Sequence, residues 1–405
     1  MAKKKILVCD DQLEASEEWT ARLKAIPLVA KSFEVKSCEP GTLQAQVESL
    51  ADRRKQVRSE GCWSGDHHFD DLDILVVDYD LQDEDPRSGR EIAYLARCFS
   101  RCGLIVTLNE SGRNPFDLTL VSGLESFADL NIGSEQLSNR GLWQESWKGF
   151  RPWAWPLIPA ALKAFNKRAK AVQADLDKKV LDYFHFTADV LPHIPRAVLQ
   201  FLAAGKKKPE DVTFRDFVAD SPSCLQAKDR HAEWPDDVLA RIAAARLGHW
   251  LERSVLPGQN ILVDAPHLAA RFASLLEKQP PRAATLNTTA TLDIASKSGL
   301  RYRQLRLHQF VSQDWISRAC WYWPKVADDK SVAEVADPWS AASVDQVFCE
   351  DVSRFLPAGA AREFVAEVDS SFSRRFVANP NAKEVRKFAE ELRAVAYNPI
   401  VRLSL

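Results

Sequence analysis

The run Asp73-Ile74-Leu75-Val76-Val77-Asp78 constrains this chain more than any other segment. Its four inner residues are apolar and three of them are β-branched, which suits an extended strand with neither face turned to water. A strand covered on both faces belongs inside a parallel sheet flanked by helices. The neighbouring segments fit that frame. Ile6-Leu7-Val8-Cys9 is a second apolar run and stops at Asp10-Asp11. Residues 12–26 follow with Leu13, Trp19, Leu23 and Ile26 at roughly helical spacing. The pattern predicts a strand at 33–35, a helix at 42–55 and a polar loop at 58–71. Beyond Asp78 it predicts a helix at 89–99, a fourth strand at Leu104-Ile105-Val106-Thr107 and a fifth at 127–132. Alternating strands and helices imply an α/β, doubly wound parallel sheet.

A length of 405 residues exceeds one ordinary core and predicts two or three domains. With 46% hydrophobic and 27% charged residues, the chain reads as folded rather than disordered. A formal net charge of −2 excludes a generally basic nucleic-acid coat. No uncharged apolar run approaches the ~18–20 residues that cross a bilayer, so no membrane association is expected. The apolar stretch behind Lys3-Lys4-Lys5 ends at Asp10, too soon for a secretory signal. Eight cysteines without a CxxC pair suit a reduced, cytoplasmic protein.

Past the alternating region, residues 138–157 form a Trp-rich insertion with Trp143, Trp147, Trp153 and Trp155. Then Leu162, Phe165, Ala169, Val172, Leu176, Val180 and Tyr183 repeat at threes and fours after Pro159. That periodicity predicts one amphipathic helix over 159–184, packing on its own sheet, docking the C-terminal domain or offering a seam to a second copy, a possible homodimer. Further helices are expected at 194–204, 236–254, 266–277, 341–355, 358–367 and 381–396. The expected organisation is therefore a sheet domain over 1–137, insertion and long helix over 138–184, and a mostly α-helical output or interaction domain over 185–405.

Sheets of this kind place their sites at the carboxyl ends of strands. Here those ends carry Asp10, Asp11, Asp78 and Thr107. Three carboxylates brought together repel one another and need a cation, and hard oxygen ligands select Mg²⁺ or a similar divalent ion. A metal beside a carboxylate can orient a phosphoryl group for in-line attack by it. A hydroxyl at Thr107 could then hydrogen-bond the acyl phosphate.

At these residues the sequence resembles the receiver domain of response regulators. Ile6-Leu7-Val8-Cys9-Asp10-Asp11 resembles the family's first strand with its metal-binding acidic pair, and Asp73 to Asp78 its third strand ending in the phospho-accepting aspartate. Asp78-Tyr79-Asp80-Leu81 is similar to the loop in which the second residue after the acceptor lends its backbone carbonyl to the metal, here Asp80. Ser88-Gly89-Arg90-Glu91-Ile92 resembles the helix start that follows, displaced by the insertion 82–87, and Leu104 to Thr107 the strand with the switch hydroxyl. The likeness covers residues 4 to about 132. It implies a five-stranded sheet of order 2-1-3-4-5, as in flavodoxin-like folds, and a phospho-accepting regulator rather than a turnover enzyme. It also implies Mg²⁺ as cofactor and a histidine kinase or phosphotransfer protein as partner in two-component signalling. One departure stands out. The family carries a lysine at the end of its fifth strand, whereas residues 108–147 contain none and Asp129-Leu130-Asn131-Ile132-Gly133 occupies the place. Arg113 and Arg140 are the nearest substitutes. A phosphate-independent pseudo-receiver acting as a scaffold is the alternative, and a receiver controlling a DNA-binding or enzymatic effector is the third.

Other motifs carry less. His67-His68 beside Asp66 and Cys62 matches no common zinc spacing and reads as a polar loop. Cys98 and Cys102 read as helix-face packing. Residues 290–305 faintly resemble a helix-turn-helix followed by Arg306, but Ser298 and His308 fall where apolar anchors belong, so nucleic acid is the less favoured partner.

Overall fold

The computed structural model describes residues 3–81 (except 62, 64 and 80), 88–109, 126–144, 157–186 and 191–258 (except 227, 231 and 232). Shorter runs follow at 262–264, 315, 320–322, 346–349, 354–364, 375–379 and 381–386. The chain opens with β1 (Lys4–Cys9), α1 (Leu13–Lys24), α2 (Pro27–Ser32), β2 (Phe33–Cys38) and α3 (Pro40–Glu60). Next come β3 (Ile74–Asp78), α4 (Gly89–Phe99), β4 (Leu104–Asn109) and β5 (Leu130–Gly133). All five strands pair in parallel in the order β2-β1-β3-β4-β5. The apolar runs of β1, β3 and β4 form the middle of the sheet and are buried on both faces, as their composition requires. The start of β5 is held by Arg97, whose guanidinium donates to the carbonyls of Cys102 (3.2 Å) and Gly103 (2.8 Å) and pairs with Asp129.

The helix expected over 159–184 is instead two. α5 (Ile158–Gln173) ends, and α6 (Val180–Tyr183) begins after a turn. The backbone between them is taken by another segment: Val180 N donates to Val212 O (2.9 Å), and Phe214 N to Lys178 O (3.2 Å). Arg215 N likewise donates to Leu176 O (3.0 Å). Those bonds compete with helix continuation through Asp175 and Asp177. The apolar stripe itself is as expected, with Leu162, Phe165, Ala169, Val172 and Leu176 all buried.

Helical structure continues through α7 (Arg196–Gln200), α8 (Phe214–Asp220) and α9 (Asp236–Trp250). A π-helical turn at Leu251–Val255 leads into α10 (Leu256–Gly258). α9 packs on α5, α4 and α8, so the α5 stripe is covered within one chain and does not call for a second copy. One hydrophobic core runs from Ile6 through Leu256 and takes in Trp315. Beyond α10 the described strands are β6 (Leu262–Asp264), β7 (Cys320–Tyr322), β8 (Gln346–Cys349), β9 (Arg354–Pro357), β10 (Ala361–Phe364) and β11 (Arg375–Ala378), with a 3₁₀ turn at Ala358–Ala360 and helical residues at 383–386. The last four strands form a sheet of order β10-β11-β8-β9 with its own small core at Val347, Cys349, Leu356, Ala360, Ala378 and Val385. Over their described residues, the helices expected at 341–355 and 358–367 are therefore corrected to β8, β9 and β10, with a 3₁₀ turn at Ala358–Ala360. Val347, Phe348, Cys349, Phe355, Leu356 and Phe364 carry the apolar and aromatic character that favours pairing. The helix expected at 266–277 and the helix-turn-helix-like segment lie outside the described residues. Among the described residues no helix is long and apolar enough to cross a membrane.

Candidate metal and phosphoryl site

Parallel register builds the site. Cys9 pairs with Val77, so the next residues, Asp10 and Asp78, stand side by side where β1 and β3 end. Asp10 is 9% exposed and its Oδ1 accepts from Gln12 N at 2.9 Å, which turns the chain into α1. Asp11 and Asp78 are half-buried. Carboxylate oxygens of Asp10, Asp11 and Asp78 all lie within 4.8 Å of one another. Three oxygen donors at that spacing fit a hard divalent cation with room for water in its shell. Asp80 lies outside the described residues.

The loop after β3 is held tightly. Tyr79 N donates to Leu108 O at 2.8 Å, and Gly89 N to Tyr79 O at 3.2 Å. Ser88 caps α4 by accepting from Glu91 N. The amino end of α4 is thereby pressed onto the backbone that carries Asp78, a contact only glycine permits at position 89.

Thr107 lies two residues inside β4, opposite Val77 and Asn131, and its hydroxyl donates to Leu130 O at 3.3 Å. Pairing of Leu108 with Ile132 and of Asn109 with Gly133 prolongs the ladder beyond the expected strand end. Asn109 therefore closes β4. Its buried Nδ2 donates to Asn131 Oδ1 at 2.7 Å, while Asn109 Oδ1 and Asn131 Nδ2 have no partner among the described residues. Sequence reasoning missed this polar pair, although a single threonine inside the run Leu104–Leu108 hinted that the strand was longer. Neither β5 nor the 3₁₀ turn after it (Ser134–Gln136) contains a lysine. Arg140 is exposed on a later 3₁₀ turn, and Arg113 lies outside the described residues.

His67 is no metal ligand here. Its Nδ1 accepts from Phe69 N at 3.0 Å and its Nε2 meets Gln46 O at 3.0 Å, so the ring caps a 3₁₀ turn. Cys98 and Cys102 are buried, and burial pushes the Cys102 thiol up to about 12.

A second charged cluster lies away from the acidic edge. Asp229 is 1% exposed and takes Arg54, Arg58 and the Tyr94 hydroxyl. Burial works to raise its carboxyl, but the bonds from Arg54, Arg58 and Tyr94 outweigh that and hold it below the ordinary range. It fastens the segment before α9 to α3 and α4. Against known proteins the chain matches no family model and no curated relative.

Proposed function

We propose that the chain is a response-regulator-like signalling protein in which Asp78 accepts a phosphoryl group from a histidine kinase or phosphotransfer protein. The observation that carries this reading is the approach of the Asp10, Asp11 and Asp78 oxygens to within 4.8 Å at the carboxyl ends of adjacent parallel strands. Mg²⁺ bound there would offset their mutual repulsion and the charge of the phosphoryl oxygens. Asp10 and Asp11 would hold the cation. An Asp78 oxygen attacks phosphorus in line, forming a P–O bond as the P–N bond to the donor imidazole breaks and its electron pair returns to nitrogen. The region from residue 185 onward is the output, and the cytoplasm is the compartment that such a donor implies. Incubation with acetyl phosphate and Mg²⁺, followed by intact-mass and peptide analysis, should yield one phosphoryl adduct on Asp78 that is lost in Asp78→Asn. Failure of the wild-type chain to form it would sink the reading.

A second reading has its own support. The absence of lysine from residues 108–147 removes the group that would sense a phosphoryl charge. On that ground the fold serves as a phosphate-independent scaffold. It predicts that Asp78→Asn leaves partner binding intact.

A further inference from the structure

Beneath the acidic cluster, β1 and β2 end on two cysteines set against each other. Parallel pairing puts Cys9 opposite Cys38, and side chains so paired project to the same face. Cys38 Sγ lies 3.7 Å from Glu39 O at the end of its strand. Both are free and buried. Paired strands run about 4.8 Å apart, inside the ~4.4–6.8 Å between Cα atoms that a disulfide spans. Cys38 is the last residue of β2, the edge strand of the sheet, where local opening costs least.

We propose that Cys9 and Cys38 form a reversible intramolecular disulfide, made by a two-electron oxidant such as a peroxide, that loosens the grip of the acidic cluster on a divalent cation. With hydrogen peroxide, the Cys38 sulfur attacks one peroxide oxygen and becomes a sulfenic acid, and the other oxygen leaves as water with the thiol proton. The Cys9 sulfur then attacks the sulfenic sulfur, the S–S bond forms and the S–O bond breaks, and a second water leaves. Two thiols have lost two electrons and two protons, and a thiol reductant reverses the step by exchange.

The coupling is geometric. A disulfide holds its Cβ atoms about 3.8 Å apart, closer than the ~4.5–5.5 Å between Cβ atoms of residues directly opposite on paired strands, so the bond draws the ends of β1 and β2 together. Cys9 immediately precedes Asp10 and passes the shift to it. Mg²⁺ tolerates little departure from octahedral geometry, so a displaced carboxylate weakens binding. This coupling rests on the cation reading above, whereas the disulfide itself does not.

The test treats the full chain with hydrogen peroxide or diamide, alkylates it under denaturing conditions, and maps the cysteines by mass spectrometry. The Mg²⁺-induced rise in melting temperature is measured before and after. The expected result is a peptide joining Cys9 to Cys38, undone by dithiothreitol, with the Mg²⁺ shift at least halved in the oxidised wild type. In Cys38→Ser the shift should be the same with and without oxidant. Recovery of both cysteines alkylated, or pairing of Cys9 with Cys102 instead, would overturn the disulfide. A cross-linked protein with an unchanged Mg²⁺ shift would overturn the coupling. No Mg²⁺ shift in the reduced protein would defeat the cation reading and leave the disulfide to be decided by the mapping alone.

Discussion

A methyl group added at Gly89 would sit 1.8 Å from the carbonyl oxygen of Asp78 and 2.9 Å from Tyr79 Cα, both backbone atoms that cannot swing aside. Gly89→Ala must therefore push α4 off the loop that carries Asp78, at a cost of about 1–3 kcal/mol typical of forced overpacking. Urea unfolding should register the loss, and Mg²⁺ should stabilise the variant less than wild type because Asp78 moves with its backbone. A second single-residue effect concerns pH. His249 is buried, and burial, followed by the charges of Arg253, Arg246 and Arg168, holds its imidazole well below the ordinary histidine range. The folded protein keeps it neutral while the unfolded chain takes up a proton below about pH 6.5. The unfolded state then binds more protons, so stability falls as pH drops through that value, by up to ~1.4 kcal/mol per pH unit for one such group. His67, lowered mainly by burial and held against Gln46, adds a smaller effect of the same sign. Replacing His249 with Gln should flatten the decline between pH 7.5 and 5.5 in urea titrations. An unchanged slope would mean that His249 is protonated in the fold.

At the scale of elements, α5 shows what a helix stripe can and cannot say. Ile158, Leu162, Phe165, Ala169 and Val172 are buried on a helix that packs on α9, each of the larger ones contributing on the order of 1.5–3 kcal/mol. Val172→Asp would put a charge into that contact, and we expect it to destabilise the chain by more than 3 kcal/mol without lowering its native molar mass. Light scattering that showed a dimer becoming a folded monomer would instead mean that the stripe pairs between copies. The periodicity of Leu162 to Leu176 was plain in the sequence, but its partner was not, because the α9 residues Val238, Ala244 and Leu247 lie some seventy residues further along. Likewise the break at 174–179 depends on backbone bonds to residues 212–215, which no local pattern encodes. The acidic cluster was legible for the opposite reason. Strands buried on both faces read as unbroken apolar runs, and the residue that ends such a run at Cys9 or Val77 is placed by that ending alone. β4 is the exception that proves sensitive to pairing, since its true end at Asn109 is set by the β5 ladder.

For the molecule as a whole, the polar contacts of the helical region fall on residues that precede β4 and β5, at the end of the sheet opposite the acidic cluster. Trp234 Nε1 donates to Cys98 O at 2.7 Å, Arg246 to Ser126 O at 2.6 Å, and Arg101 meets Asp237 at 2.7 Å. Asp229 anchors the same region on α3 and α4 through Arg54 and Arg58. With one hydrophobic core spanning both parts, the sheet and helices through α10 should unfold together rather than as separate domains. Far-UV circular dichroism and tryptophan fluorescence should then give coincident midpoints, because Trp143 lies beside Phe33 of the sheet, Trp234 just before α9 and Trp250 at its end. Asp229→Asn tests the linkage. It keeps the shape but strips the charge that Arg54 (14% exposed) and Arg58 (30% exposed) surround. Removing one partner of a buried pair costs about 3–5 kcal/mol, and the partial exposure of Arg58 puts the expectation at the lower end. Both probes should shift by that same amount. The carboxyl of Asp229 is depressed in the fold, so its contribution is present above the ordinary aspartate range and is lost as pH falls through the folded value. Acid should therefore mimic Asp229→Asn in wild type and add little in the variant. If fluorescence from the helices moved while circular dichroism of the sheet stayed put, the helical region would be a domain that merely rests on the sheet.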